Sequence, residues 1–329
     1  MTAAHGKRRG LRLRAGLPVL AIGAALIVAA PAVAEHDRSL LPPDKDSVIL
    51  PFDVQDGFIL LSGKAVGVCG VFMFDTGTPF EFLMNNTVVP VVLSGEPFPG
   101  KAGSGQSFDI HLHDSVGPVA VAGYSIVPAG PVPSGNLRWL TEEFRQDFLG
   151  FAGHTLIRDK VMMIDYQAGQ ITLAHPGAGD LPQTGSIPGA ITLTFDAFDG
   201  GRPNLPVVHA DLAGVPIEVM FDTGTAGVLE LTPDARSTLV AAGALKIADN
   251  GAALPELAVQ GKTVDAWAAE LKEGGSNRLT AGYATLSRYI SIWDFPGGRI
   301  TLIPLPSDAG GASSPHRRIV KQGGVPPCP

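Results

Sequence analysis

The chain has 329 residues, 45% of them hydrophobic and 17% charged, with 24 Lys and Arg against 31 Asp and Glu. That length can bury one large core or two smaller ones, and the acidic balance argues against nucleic acid or an anionic membrane surface as the main partner. With 41 Gly and 28 Pro, turns and short strands are favoured over long helices.

In chain order, the first element is a targeting segment. Lys7, Arg8, Arg9, Arg12 and Arg14 precede the apolar run GLPVLAIGAALIVAA, and Ala32-Val33-Ala34 ahead of Glu35 is a small-x-small cleavage site. Residues 1–34 therefore read as a signal peptide that exports the protein to the periplasm or beyond the cell, leaving no stable membrane insertion once cleaved. An uncleaved, membrane-anchoring signal is the alternative, and Arg8-Arg9 admits twin-arginine as well as general export. Removing this segment takes five of the 24 basic residues and no acidic one, so 19 minus 31 leaves the mature chain at −12.

Residues 35–47 (EHDRSLLPPDKDS) read as a flexible lead-in. A first lobe is expected over 48–177. Gly67 marks a hairpin turn eight residues before Asp75, at the end of a strand VFMF that runs into DTGT. Cys69 lies on that strand. The only other cysteine is Cys328 in the tail, a position that favours a free buried thiol at Cys69 over a structural staple. Asn85-Asn86-Thr87 forms a glycosylation sequon. DIHLHD places Asp109, His111 and His113 on one strand face, a pattern more typical of a polar strand than of a metal site. LRWLTEEFRQDFL reads as an amphipathic helix with Leu137, Leu140, Phe144 and Phe148 on one side.

VMMIDYQAGQITLAHP closes this lobe, GAGDLPQTGSIP (178–189) reads as a linker, and a second lobe is expected over 190–304. There Val215, Ile217, Val219 and Phe221 alternate with Pro216, Glu218 and Met220, placing Asp222 at a strand end. Gly214 again stands eight residues before the Asp. ISIWDFPGGRITLIP matches the close of the first lobe, and 305–329 reads as a disordered tail. The hexapeptide MFDTGT thus occurs at both Met73–Thr78 and Met220–Thr225, inside two copies of one plan.

A carboxylate at a strand end followed by Thr and Gly has a mechanical logic. Glycine lets the chain turn sharply, bringing backbone N–H groups onto the carboxylate, while Thr76, Thr78, Thr223 and Thr225 can fix the geometry. One such turn is ordinarily just a capped turn. Two in matched contexts can meet at a pseudo-twofold axis, setting Asp75 against Asp222 to share one proton, so that the pair is acid and base at once.

On these residues the sequence resembles the two-lobed aspartic peptidases, retropepsin-like and pepsin-like. Their signature of two hydrophobic residues, Asp-Thr-Gly and then Ser or Thr is matched by Met73-Phe74-Asp75-Thr76-Gly77-Thr78 and Met220-Phe221-Asp222-Thr223-Gly224-Thr225. The resemblance implies a mostly β chain of two homologous β-barrel lobes with a cleft between them and few short helices. It assigns Asp75 and Asp222 as the catalytic pair, with Thr76, Gly77, Thr78, Thr223, Gly224 and Thr225 as supporting loops, and needs no cofactor and no metal. It implies a polypeptide substrate and a monomer whose lobes act as a dimer in cis. The family's late hydrophobic-hydrophobic-Gly element is matched by Phe148-Leu149-Gly150 and, less well, by Thr280-Ala281-Gly282. Its flap is expected in Ser94–Phe108, with Gly103, Ser104 and Gly105 at the tip, and only a shorter loop around Asp249-Asn250-Gly251 in the second lobe. An inactive peptide-binding relative and a two-carboxylate glycosidase, with carboxyls about 5 Å or more apart, are the competing readings.

Overall fold

The computed structural model describes residues 40–305 apart from 43, 104, 129, 180, 183–186, 196–203, 249 and 250. The expected signal peptide, the first residues of the lead-in, Ser104 and the tail from 306, including Cys328, lie outside the described residues. Strands dominate, joined by three short α-helices among the described residues. Among the described residues, five hairpins fix strand register through two-residue turns: Asp56-Gly57, Val66-Gly67, Ala122-Gly123, Ala213-Gly214 and Gln260-Gly261, in each of which both residues have positive φ. That is the type I′ geometry, whose twist matches that of paired strands and which a glycine at the second position adopts freely.

The N-terminal half repeats its plan in the C-terminal half. The strand Val68–Asp75 lies antiparallel to Phe58–Ala65 and parallel to Phe148–Gly153, which is itself antiparallel to Phe82–Asn85. In the second copy Val215–Phe221 lies antiparallel to Val207–Leu212 and parallel to Arg278–Ala281, which is antiparallel to Val228–Leu231. Each DTG turn therefore leaves the end of a central strand.

A third sheet, six strands wide, draws on both halves in the order Ser47–Pro51, Gln170–Ala174, Val161–Asp165, Tyr289–Asp294, Arg299–Pro304 and Ile191–Thr194. Its middle pairing is antiparallel and centred on Met163 opposite Ile292, with Val161 facing Asp294 and Asp165 facing Ile290. The two matched closing segments thus pair with one another across a pseudo-twofold axis. Asp165 caps its turn by accepting from the N–H groups of Gln167 and Ala168, and Asp294 accepts from that of Gly297. Both are therefore architectural.

Beneath the turns the core is aromatic. Phe72, Phe74, Phe82, Phe221 and Trp293 are fully buried, with ring centroids 5.4 Å apart for Phe72–Phe82 and 6.1 Å for Phe221–Trp293. Burial of each such ring contributes about 2–3 kcal/mol.

Several expectations need correction. Leu40 and Leu41 of the lead-in are buried in the main core, because two adjacent leucines offer more apolar surface than a free segment would leave in water. The helix expected over 137–149 is only Arg138–Glu143; Phe148 instead begins the strand Phe148–Gly153, where sheet pairing outweighs helical periodicity. Its four apolar residues nevertheless pack together, with Phe144 edge-on to both Phe58 and Phe148. A second helix, Pro233–Ala241, went unread despite Thr232 as its N-cap, accepting from Ala235 N–H, and a proline at its start. Cys69 is disulfide-bonded, not a free thiol; the one other cysteine in the sequence is Cys328. The sequon is sealed: Asn85 is fully buried and its Nδ2 donates to Thr141 Oγ1 and to the Phe148 carbonyl, both at 2.9 Å.

Candidate active site

Each DTG turn folds back on its own carboxylate. Gly77 N–H donates to Asp75 Oδ1 at 2.7 Å and the Thr78 hydroxyl donates to Asp75 Oδ2 at 2.7 Å. In the second turn Gly224 N–H donates to Asp222 Oδ1 at 2.8 Å, while Thr225 Oγ1 accepts from Gly227 N–H at 3.1 Å. The first carboxylate is thus the better supplied with donors.

The two turns lock together through their buried threonines. Thr76 N–H donates to Thr223 Oγ1 at 3.0 Å, Thr223 N–H donates to Thr76 Oγ1 at 3.1 Å, and the Thr223 hydroxyl donates to the Phe74 carbonyl at 3.1 Å. Both side chains are fully buried. The bonds run between halves separated by almost 150 residues, so the halves cannot shift without breaking them in a site shielded from water.

This lock brings the carboxyls into direct hydrogen-bond contact with each other. The glycines make room: a Cβ on Gly224 would overlap the Asp75 carboxyl, and one on Gly77 would stand 2.8 Å from Asp222 Oδ2. Burial raises Asp75 above the ordinary carboxylate range even against the donors from Thr78 and Gly77. Asp222 is raised well above that range, first by burial and then by the charge of Asp75. Like charges in contact cannot both form cheaply, so the pair titrates as a unit with one proton held between the carboxyls. As whole residues, Asp75 and Asp222 are each half-buried and not sealed.

Two further glycines fix the turns from behind. Gly153 pairs with Asp75 and Gly282 follows the Ala281 that pairs with Phe221. A Cβ on Gly153 would strike the Thr78 and Phe80 carbonyls, and one on Gly282 would strike the Thr225 carbonyl. His154 N–H donates to Thr78 O at 2.8 Å and Tyr283 N–H to Thr225 O at 3.0 Å. The lobe-one glycine of the hydrophobic-hydrophobic-Gly element is therefore Gly153, after Phe151 and Ala152, and not Gly150. The sequence offered both glycines in the same spacing, and only strand register separates them.

The segment expected as a flap is a hairpin. Phe98–Lys101 pairs with Ser107–His113, and its turn is closed by Ala102 N–H to Gln106 O and Gly105 N–H to Ala102 O, both 2.9 Å. Gly103 and Gly105 lie in that turn, and Ser104 between them is outside the described residues. The corresponding loop of the other half joins Lys246–Ala248 to Gly251–Val259. His113 is committed to structure, with Nδ1 3.1 Å from Val92 O and Nε2 2.7 Å from Ser134 Oγ. One contact was invisible in the sequence: Asn204 Nδ2 donates to the carbonyls of Thr76, at 3.2 Å, and of Gly77.

Similar folds are found among solved structures. An aspartic proteinase from Irpex lacteus matches with a TM-score of 0.52 and 12% identity, over 80% of this chain and 99% of that one. Basic 7S globulin from soybean matches with a TM-score of 0.50 and 10% identity, over 78% of this chain and 95% of that one. The chain thus has a mostly β, pepsin-like fold across most of its length. No protein family pattern and no curated protein sequence matches it. One structural neighbour is named a proteinase and the other a globulin, so the fold by itself does not decide catalysis.

Proposed function

We propose that the protein is an exported aspartic endopeptidase that hydrolyses peptide bonds of an extended polypeptide with a water activated by Asp75 and Asp222. The observation that carries this reading is the hydrogen-bond contact between two carboxyls at the ends of interlocked DTG turns. A glycosidase pair stands about 5 Å or more apart, which does not describe these carboxyls.

Asp75, with Gly77 and Thr78 donating to it, is the ionised member, and Asp222 holds the proton. Asp75 takes a proton from water as the water oxygen bonds to the peptide carbon, while the proton on Asp222 passes to the carbonyl oxygen. The result is a neutral tetrahedral diol with no covalent bond to the enzyme. In its collapse Asp75 returns its proton to the leaving nitrogen, Asp222 recovers one from a diol hydroxyl, and the C–N bond breaks. The starting state is restored. Since the chain supplies both carboxyls, it needs no second copy, and the hairpin Phe98–His113 is the proposed cover for the bound peptide.

The inactive-relative reading drew its support from a poor glycine match in the second lobe, and Gly282 occupies the same place as Gly153. Incubation of the mature protein with an unfolded protein substrate from pH 3 to 7 tests the proposal. Wild type should cleave most rapidly where one proton is shared, and Asp75→Asn and Asp222→Asn should each lose about 10²–10⁴-fold or more in rate while remaining folded. Equal cleavage by wild type and both variants would refute it.

A further inference from the structure

Asn204 crosses from the C-terminal half to the DTG turn of the N-terminal half. It stands three residues before the strand Val207–Leu212 and is 6% exposed. Its amide donates to two successive carbonyls, of Thr76 at 3.2 Å and of Gly77. A peptide unit is planar, so gripping its C=O also aims its N–H. The Thr76 carbonyl shares a plane with Gly77 N–H, which donates to Asp75 Oδ1 at 2.7 Å. The Gly77 carbonyl shares one with Thr78 N–H, which donates to the main-chain carbonyl of Asp75 at 3.1 Å and lies within reach of its carboxyl. Donation to a carbonyl further polarises its peptide and strengthens that N–H as a donor.

The other half has no such grip from the matching position. Leu60 pairs with Met73 as Val207 pairs with Met220, so the counterpart of Asn204, three residues earlier on each chain, is Gly57. It has no side chain to extend, and a Cβ there would meet the Tyr283 ring at 3.1 Å. The turns are alike in sequence and unlike in what holds them from across the axis.

We propose that Asn204 is a positioning residue whose amide locks the two peptide planes behind Asp75 and so keeps Asp75, and not Asp222, the carboxylate of the pair. The assignment of a catalytic consequence rests on the endopeptidase reading, whereas the lock itself does not. Asp75 and Asp222 face each other, and Tyr166 lies within electrostatic reach of Asp222, its phenol kept neutral by burial.

Amide hydrogen exchange on the whole mature protein separates the two. In Asn204→Leu, of similar size but without donors, exchange over residues 74–79 should quicken at least about tenfold while 221–226 stays within about threefold of wild type. In the cleavage assay kcat should fall roughly 10- to 100-fold through misplacement of the base, with KM changed less than about threefold. The acid limb of kcat/KM should move upward, because Asp75 loses donors that favour its charge. Equal loosening of both turns, or none, would overturn the lock. A lower kcat with an unmoved acid limb would overturn the role in choosing the base. Should Asn204→Leu not fold, Asn204→Asp serves: its carboxylate repels the two carbonyls, whereas its protonated form donates, so the 74–79 excess over wild type must appear as pH rises and vanish in acid. An excess independent of pH would equally overturn the proposal. If wild type cleaves nothing, the endopeptidase reading falls, and the exchange result still decides the lock.

Discussion

At four residues before its aspartate the N-terminal half carries Val71 and the C-terminal half carries Glu218. Val71 pairs with Phe148 on one side and Ser62 on the other, and Glu218 pairs with Arg278 and His209 in the same places. The first row is sealed: Val71 and Phe148 are buried beside Leu137, Leu140 and Phe144. The second is open, with a Glu218–Arg278 ion pair at 2.5 Å bordering a cavity of about 300 Å³ that His209, Ser276 and Asn277 also line. Two residues further on, both strands converge on methionine and then on the same turn. What the halves share is therefore the part that builds the carboxyl pair, and the outer faces behind it have been free to differ.

That difference sets a scale of effects. Phe148→Ala should cost about 3–5 kcal/mol, as expected for a fully enclosed ring, read from chemical denaturation. A loss below about 1 kcal/mol would mean the sealed face is not what holds the first half. Next comes a position the halves fill differently behind the turns, where His154 packs edge-to-face with Phe295 at 5.0 Å and Tyr283 with Tyr166 at 5.3 Å. Burial, then Arg158, lowers His154 to about 4. The unfolded chain takes up this proton near pH 6.5 and the folded one does not until about 4, so its stabilisation is complete above the former and lost as pH falls towards the latter. This amounts to at most about 3 kcal/mol. His154→Phe should become more stable relative to wild type as pH drops from 7 to 4, and a constant difference would contradict the assignment. The smallest effect is expected on the open face: Arg278→Ala should change stability by no more than about 1 kcal/mol, since partly exposed ion pairs contribute little.

Much of the site could be read from the sequence because it is local. The apolar strand VFMF and the alternating strand Val215–Phe221, each ending in DTGT, fix where Asp75 and Asp222 sit on their own strands, and the matched closing segments forecast two copies of one plan. Long-range partners left no local trace. Asn204 stands in GGRPNLPV, which reads as a loop, and its targets lie 127 and 128 residues away. The choice of Gly153 over Gly150 depends on strand register, and the truncation of the 137–149 helix depends on Phe148 being claimed by a sheet. That the two closing segments pair with each other follows only from the axis between the halves.

The central claim is that these halves deliver two carboxyls to one proton, and a mutant cycle in unfolding free energy against pH tests it without a substrate. Asp222 is raised in the folded state, so its favourable contribution is present below the unfolded value near 3.9 and lost as pH rises through the folded one. Asp75→Asn and Asp222→Asn should each be more stable than wild type at neutral pH and lose that advantage below pH 4. The double variant should gain clearly less than the sum of the two, because either change alone already removes the repulsion between the carboxyls. Strictly additive gains, or none in either single variant, would show that Asp75 and Asp222 titrate independently and would contradict the account.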